Sequence, residues 1–161
     1  MRRTALDLEE MAELLARRMG LPQEEAAEAA RVAVLRDVGK AVLDDGVLGK
    51  PGPLDDAEWE LIRMLPAVGE RIVASAQGLA HLAPAVRAAY ERWDGRGYPD
   101  GLSGEEIPIT SRIAFVCGAF EAMTSDRPYR GALGADAALR ELERNAGAQF
   151  CPRAVEALLG R

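Results

Sequence analysis

The residues best suited to chemistry in this chain lie in the segment 91–130, which is rich in glycine, arginine and tyrosine. Arg96 and Tyr98 fall within a glycine-rich loop, and exposed arginine and aromatic side chains are suited to contact with a partner. Further along, Arg127 and Arg130 carry guanidinium groups, which bind phosphate in a bidentate manner. The alternative is structural: the glycines and Asp94 hold a turn, and ion pairs fix Arg127 and Arg130 to the preceding helix.

Metal-binding side chains are scarce in this sequence, which contains one histidine, His81, and two cysteines, Cys117 and Cys151. Two distant cysteines with no histidine nearby make a poor zinc site, so we expect both to be reduced thiols. His81 lies outside any ligand spacing and is expected at the surface. A weaker alternative is an oxygen-only Mg²⁺ site built from Asp37, Asp94 and Glu121.

The length and net charge of the chain disfavour several classes of function. The 161 residues suffice for one domain with a real core, and the net charge of −6 disfavours nucleic-acid binding and docking on anionic membranes. No apolar run reaches the ~18 residues that a membrane-spanning helix needs. The amino terminus lacks the apolar region of a signal peptide, so we expect a cytoplasmic location.

The hydrophobic pattern predicts an all-α domain of seven or eight helices, because apolar residues recur at helical spacing and nothing alternates as a strand does. The segment from about Trp93 to Pro108 is predicted to be a long shaped loop, since it holds four glycines and two prolines. An apolar stripe on the first helix offers a surface for pairing with a second copy. The predicted helices cover about Ala5–Met19, Pro22–Asp37, Asp55–Pro66, Ala67–Ala76, Ala83–Arg92, Thr110–Met123, Ala135–Asn145 and Pro152–Leu159.

Four ordered motifs carry a resemblance to a known family. They are Arg36-Asp-Val-Gly-Lys40, Lys50-Pro-Gly-Pro-Leu54, Glu91-Arg-Trp-Asp-Gly-Arg-Gly-Tyr-Pro-Asp-Gly101 and Thr124-Ser-Asp-Arg-Pro-Tyr-Arg130. At this spacing the chain resembles the HD-GYP family, a branch of the HD metal-dependent phosphohydrolases. The resemblance implies an HD-like helical bundle over 1–161 with a long GYP loop. It also implies a family activity, hydrolysis of cyclic di-GMP by a cluster of iron or manganese bound to histidine and aspartate.

The chain departs from the family at the metal ligands. Among the matched positions only Asp37 keeps a ligand side chain, and an upstream histidine aligns loosely with Thr4. The other matched ligand positions hold Arg36, Leu65, Ala89, Tyr90 and Gly118. Leucine, alanine and glycine offer no side-chain donor, and a guanidinium cannot deprotonate to become a ligand. We therefore expect no metal, no cofactor and no activated hydroxide for phosphodiester hydrolysis.

The substitutions also have a structural interpretation. Arg36 is expected to cover the Asp37 carboxylate, and Leu65 and Tyr90 are bulky enough to fill the space of ions and water. A fold rebuilt in this way would need no metal to balance a buried aspartate.

The predicted function is a catalytically inactive HD-GYP domain that acts as a regulatory or protein-interaction module in bacterial cyclic di-GMP signalling. Its partner would be a signalling protein or a second copy, and the resemblance allows that the chain is one piece of a larger regulatory protein. Two alternatives stay open: a sensor that binds cyclic di-GMP or another nucleotide without hydrolysis, and an active phosphodiesterase with an atypical metal site. The candidate ligand- or partner-binding residues are Lys40, Asp94, Arg96, Gly97, Tyr98, Pro99, Arg127 and Arg130.

Overall fold

A computed structural model describes residues 6–127 and 130–161, which are all helix, turn and loop with two isolated β-bridges. The all-α prediction is confirmed. Thr4, the predicted helix start at Ala5, and Pro128 and Tyr129 lie outside the described residues. Three short 3-10 helices occupy Val38–Val42, Ala80–Leu82 and Gly104–Glu106. The α-helices are α1 (Leu8–Arg18), α2 (Gln23–Leu35), α3 (Asp45–Leu48), α4 (Asp56–Ser75), α5 (Ala83–Arg87), α6 (Ile109–Thr124), α7 (Ala135–Arg144) and α8 (Pro152–Leu159).

The core is formed where α2 packs between α1 and α6, on faces made largely of alanine. Small side chains let helix axes approach closely, which favours tight packing of a short bundle. The apolar stripe of α1 lies inside this core, because Met11 and Leu15 are buried. Two of the four stripe residues are thus used within the chain, Leu8 and Leu14 are partly exposed, and pairing with a second copy stays a prediction.

Helix α4 runs without a break through Pro66, whereas the sequence predicted two helices that meet there. A proline inside a helix removes one backbone hydrogen bond and crowds the preceding turn, which usually costs ~3 kcal/mol. Here Pro66 is buried on the same face as Leu65, Gly69 and Val73. Burial of that continuous apolar face outweighs the local cost, and Leu65 is thereby held on a rigid helix.

Helix α2 ends at Leu35, two residues before the predicted end, and Arg36 caps it. The chain then tightens into the 3-10 helix Val38–Val42, which lies against α4. Gly39 allows this approach, because a Cβ there would overlap the carbonyl of Leu65 and lie 3.0 Å from the amide nitrogen of Gly69. The close packing aims the side chains of Asp37 and Lys40 along the α4 surface.

Helix α5 ends at Arg87, five residues before the predicted end, so Ala89 and Tyr90 lie in a turn. The turn frees the Tyr90 carbonyl to accept a hydrogen bond from the Tyr98 amide at 3.4 Å. The glycine-rich loop folds back onto the chain at this point. The loop prediction is confirmed, with one 3-10 turn at Gly104–Glu106.

The central helix α6 is confirmed, and its buried residues include Ile113, Ala114, Val116 and Gly118. Both cysteines are buried free thiols, as predicted, and burial raises the pKa of Cys117 to about 12. None of the described helices combines the length and the hydropathy that a membrane span requires.

Candidate functional site

Two cavities meet at the carboxyl end of α2, with volumes of about 270 Å³ and 510 Å³. The smaller cavity is mainly apolar and the larger is mainly polar. Trp59, Ile62 and Tyr98 belong to the smaller one, and Gly118, Glu121 and Arg130 to the larger. The residues that line both cavities are Arg36, Asp37, Lys40, Leu48 and Tyr90. Of the matched ligand positions, Arg36, Asp37, Leu65, Tyr90 and Gly118 therefore lie around these two cavities, whereas Ala89 lines neither.

Asp37 is held by three groups in the shared wall. The Tyr90 hydroxyl donates a hydrogen bond to Asp37 Oδ1, and Lys40 Nζ lies 3.0 Å from the same oxygen. Arg36 Nε lies farther away, 3.8 Å from Oδ2. Burial pushes the pKa of Asp37 upward, but Arg36, Tyr90 and Lys40 outweigh that effect, so the pKa lies below its usual value. These three side chains therefore favour the ionised form of the carboxylate.

The Arg36 guanidinium lies beside Asp37, as the sequence led us to expect, and it also reaches α6. Its side chain is only 9% exposed, with Nε 3.8 Å from Asp37 Oδ2 and Nη1 3.5 Å from the Ala114 carbonyl of α6. The guanidinium carbon stands 5.2 Å from the Tyr90 ring centre. A Cβ placed on Gly118 would overlap the guanidinium carbon and both terminal nitrogens. Arg36 therefore fills the volume that any side chain at position 118 would need.

The residues present do not fit the iron or manganese cluster that the family resemblance implies. Within residues 6–127 and 130–161, no three His, Cys, Asp or Glu side chains gather where they could hold a metal ion. Leu65 and Ala89 are buried and carry no donor atom. Asp37 and Glu121 line one cavity, but Asp94 accepts hydrogen bonds from Arg92 instead. The alternative Mg²⁺ site made of those three carboxylates does not form.

The glycine-rich loop is built around one buried carboxylate. Glu91 is 2% exposed and accepts hydrogen bonds from the backbone amides of Asp100 and Leu102, at 2.7 Å and 3.1 Å. Gly97 packs directly on the turn, because a Cβ there would lie 2.6 Å from Glu91 Cα and 2.7 Å from the Tyr90 oxygen. Burial raises the pKa of Glu91. The loop is a rigid element whose shape depends on backbone contacts.

The loop residues predicted to bind a ligand or partner divide into two groups. Tyr98 lines the smaller cavity and stacks on Tyr90, with ring centres 5.6 Å apart, so one of its faces is already covered. Pro99 follows it through a cis peptide bond. Asp94 and Arg96 lie on the exposed side, where the Arg96 amide donates to Asp94 Oδ1 at 3.1 Å and closes a turn. That contact matches the structural alternative for Asp94.

The two arginines after α6 make the structural contacts that the sequence suggested, and phosphate binding by them stays a prediction. Arg127 Nη2 lies 3.5 Å from Glu121, and Arg130 Nη2 donates to the Ala122 carbonyl at 3.2 Å, which fixes the segment to the helix end. Both side chains also line the larger cavity, together with Lys40. His81 is exposed and lies 3.3 Å from Glu28, as expected for a surface histidine.

Sequence reasoning missed the apolar wall of the smaller cavity. Leu48 and Trp59 form part of it, and Lys50 sits at its edge beside Glu58 at 2.7 Å. Phe115 of α6, read as core, is only half-buried and lines the larger cavity. The motif Lys50–Leu54 marked this region as part of the resemblance, but its spacing gave no indication of a cavity wall.

Comparison with known proteins supports the family. Residues 1–153 match the family model described as HD domain. The chain is 41% identical over 151 residues to the cyclic di-GMP phosphodiesterase response regulator RpfG of Xanthomonas campestris pv. campestris, covering 92% of this chain and 40% of that protein. It is 35% identical to the 3'3'-cGAMP-specific phosphodiesterase 3 of Vibrio cholerae, covering 91% and 32%. A cyclic di-GMP phosphodiesterase of Thermotoga maritima is 37% identical, with 90% and 40% covered.

Solved structures agree in fold. A cyclic GMP-AMP-specific phosphodiesterase of V. cholerae superposes with a TM-score of 0.73 at 19% identity, over 95% of this chain and 42% of that one. An HDG"Y"P protein from Bdellovibrio bacteriovorus also gives 0.73, at 15% identity, over 94% and 48%. The chain thus spans less than half the length of these proteins. It belongs to the HD domain family, with relatives named cyclic di-GMP phosphodiesterases and structural neighbours in the HD-GYP family.

Proposed function

We propose that this chain is a catalytically inactive HD-GYP domain that acts as a regulatory module in bacterial cyclic di-GMP signalling. One observation carries the proposal: the Arg36 guanidinium occupies the space that a side chain at position 118 would need, and Gly118 has none. The family reaction needs an activated hydroxide, which a metal ion supplies by lowering the pKa of bound water. The donors that would hold such an ion are replaced at five matched positions.

Electrostatics at the site support the same conclusion. A divalent ion placed beside Arg36 would be repelled at contact range in a poorly solvated setting. The one matched carboxylate, Asp37, is already occupied by Lys40 and the Tyr90 hydroxyl. A metal ion would have to displace both groups and gain only one carboxylate in exchange.

An interaction role is supported by the outer surface of α4. Leu61 and Met64 are exposed large apolar side chains on this helix, and Met64 reaches 59% exposure. They are three residues apart on one face of the helix, whereas Trp59 lies on another face and lines the smaller cavity. Clustered apolar exposure of this kind is typical of contact surfaces. In this proposal the surface joins the module to a signalling protein.

A second candidate function, a sensor that binds cyclic di-GMP or another nucleotide without cutting it, is favoured by the open cavities beside Arg36 and Lys40. If side chains filled the space around Arg36 and Lys40, no ligand could enter and only the interaction module would be supported. Calorimetry with cyclic di-GMP in the presence of a chelator separates the two. Saturable heat without turnover supports the sensor, and no binding at ~100 μM leaves the interaction module.

The proposed loss of hydrolysis is tested by metal analysis and turnover together. Protein purified without chelator is analysed for iron and manganese, then incubated with each metal and cyclic di-GMP. The T. maritima phosphodiesterase, handled in parallel, is the positive control. We expect substoichiometric metal and no turnover above background. Stoichiometric metal, or turnover that chelation abolishes, contradicts the proposal.

A further inference from the structure

Four apolar side chains form a seam along the outside of α4. Leu61, Met64 and Ile72 are large and exposed, and Val68 between them is partly exposed. Their spacing of three or four residues places all four on one face of the helix. This α4 seam lies beside the buried face that contains Leu65, and it is about 17 Å long. Aligned apolar exposure on a charged helix is typical of a surface that pairs with another element.

The α4 seam carries opposite charges at its two ends. Glu60 lies at the end nearer the start of α4 and Arg71 at the other, and both are exposed. They fall within about 20° of each other around the helix axis, so they flank the same edge of the seam. In the part of the chain that the structure describes, neither takes part in an ion pair. By contrast, Glu58 and Glu70 on the same helix are already paired within the chain.

The apolar residues of the α4 seam are arranged symmetrically about Pro66. Met64 and Val68 lie two residues to either side of it, and Leu61 and Ile72 lie five and six residues away. An antiparallel α4 from a second copy, centred on the same point, therefore opposes Met64 to Val68 and Leu61 to Ile72. A two-fold pair uses the same patch on both copies, so the patch must be self-complementary, as this one is.

The charges at the two ends follow the same symmetry. In the antiparallel pair Glu60 faces Arg71 of the second copy, and this contact occurs twice. A parallel pair would instead set like charges against each other at both ends, which disfavours it. An unrelated partner would need an apolar helix of the same spacing with the reverse order of charges, and this chain itself supplies one. The charge order thus favours a second copy as the occupant of the seam.

We propose that α4 is a self-association surface, through which two copies of this domain pair antiparallel about a two-fold axis near Pro66. The inference rests on the interaction role proposed above and names the partner. The signalling protein joined through this surface is another molecule of the same chain. Because the seam is short and exposed ion pairs contribute little, we expect a weak dimer with a Kd on the order of 10–100 μM.

Sedimentation velocity of the full chain from ~1 to ~500 μM measures the pairing. Met64→Ser should weaken the dimer by at least about tenfold, since the lost apolar contact occurs twice in a two-fold pair. Val34→Ser is the matched control, because Val34 is similarly exposed but lies on α2, and it should leave the affinity unchanged. A monomer at ~500 μM, or equal affinity of the wild-type and Met64→Ser proteins, overturns the proposal.

Charge reversal tests the antiparallel order. Glu60→Arg and Arg71→Glu each set like charges together, so each alone should weaken the dimer about threefold to tenfold at low salt. The double variant restores opposite charges at both ends and should recover the wild-type affinity. Raised salt should reduce the difference between the single variants and the wild type. Failure of the double variant to recover overturns the antiparallel pairing, provided that circular dichroism shows native helix content.

The outcomes separate this inference from the proposed function. A metal-free, inactive protein that stays monomeric overturns the self-association alone. A dimer that depends on Met64 and on the charge order, in a protein that hydrolyses cyclic di-GMP, contradicts the proposed loss of hydrolysis and supports the α4 interface. A dimer that survives every α4 variant but is broken by Leu14→Ser has its interface on α1, and this result also overturns the inference.

Discussion

Gly97 and Gly118 both lack room for a side chain, but different groups occupy the space. Around Gly97 the neighbours are backbone atoms of Tyr90, Glu91 and Arg92, which cannot move without unfolding the turn. Around Gly118 the neighbour is the end of one long side chain, Arg36. The loop is therefore fixed by its backbone, whereas the former ligand centre is packed by an exchangeable side chain.

The contrast shows which part of the domain is under structural constraint. The loop keeps the family motif, and Glu91, Gly97 and Arg87 hold it through backbone and ion-pair contacts. At the centre, Leu65, Ala89 and Gly118 carry no metal-binding side chain, and Arg36 fills the space above Gly118. The loop that shapes the domain is thus independent of the side chains that would bind a metal. Four substitutions test this difference between the loop and the centre.

The largest effect is expected at Gly97. Gly97→Ala forces a methyl group against backbone atoms at 2.6 Å and 2.7 Å, so it should lower the free energy of unfolding by about 3 kcal/mol. Urea denaturation measures the change. Gly134→Ala is the control, because its surroundings are open and its φ is −64°, and at this N-cap position it should cost only about 0.5–1 kcal/mol. Equal effects at the two glycines would contradict the backbone-wedge explanation.

The next effect is expected at Glu91. Glu91→Ala leaves the amides of Asp100 and Leu102 without their buried acceptor, which should cost about 2 kcal/mol. Glu91→Gln keeps one acceptor oxygen and should cost less. Thermal unfolding of the three proteins gives the order. If the alanine and glutamine variants lose the same stability, the carboxylate does not organise the loop.

A smaller effect on stability is expected at Gly118, and it should reverse when Arg36 is replaced. Gly118→Ala must displace the Arg36 guanidinium, at a cost of about 1–2 kcal/mol. In an Arg36→Ala background the space is empty, and alanine is favoured over glycine within a helix by about 1 kcal/mol. The same substitution should then stabilise the protein. A double-mutant cycle in urea measures the coupling, and additive effects would show that the two residues do not share the space.

The smallest effect is expected at Arg87, which bridges Glu70 at 2.8 Å and Asp100 at 2.8 Å and 2.9 Å. Arg87→Met should cost about 0.5 kcal/mol near neutral pH, because the pair is partly exposed. Hydrogen bonds from Arg87 lower the pKa of Asp100. The contribution is therefore present above the usual aspartate pKa of about 4 and is lost as the pH falls below it. Stability curves of both proteins from pH 7 to pH 3 should converge, and a constant gap would contradict this.

Helix content, the central helix and the glycine-rich loop were predictable, because they follow from periodicity and composition along the chain. The early ends of α2 and α5 and the continuity of α4 through Pro66 were not. Each is decided by a tertiary contact, such as Gly39 against α4 or Gly97 against the turn at Tyr90. Local propensity contains no information about such contacts, and burial overrides it.

For the candidate site, the resemblance identified which positions matter but not which side chains contact each other there. The expected pairing of Arg36 with Asp37 is present, but Lys40 and Tyr90 hold that carboxylate as well and Arg36 also contacts α6, which was not predicted. The contact between Arg36 and Gly118 joins α6 to the cap of α2, residues far apart along the chain. The smaller cavity was missed because its walls come from α3, α4 and the Lys50–Leu54 segment, whose packing no motif describes.

The overlap between the Arg36 side chain and the space above Gly118 imposes an order on sequence change. A carboxylate introduced at position 118 alone would meet an occupied volume. A smaller residue at position 36 must come earlier, and by itself it opens a gap in the wall. Any route that places a donor at position 118 therefore passes through a less stable intermediate.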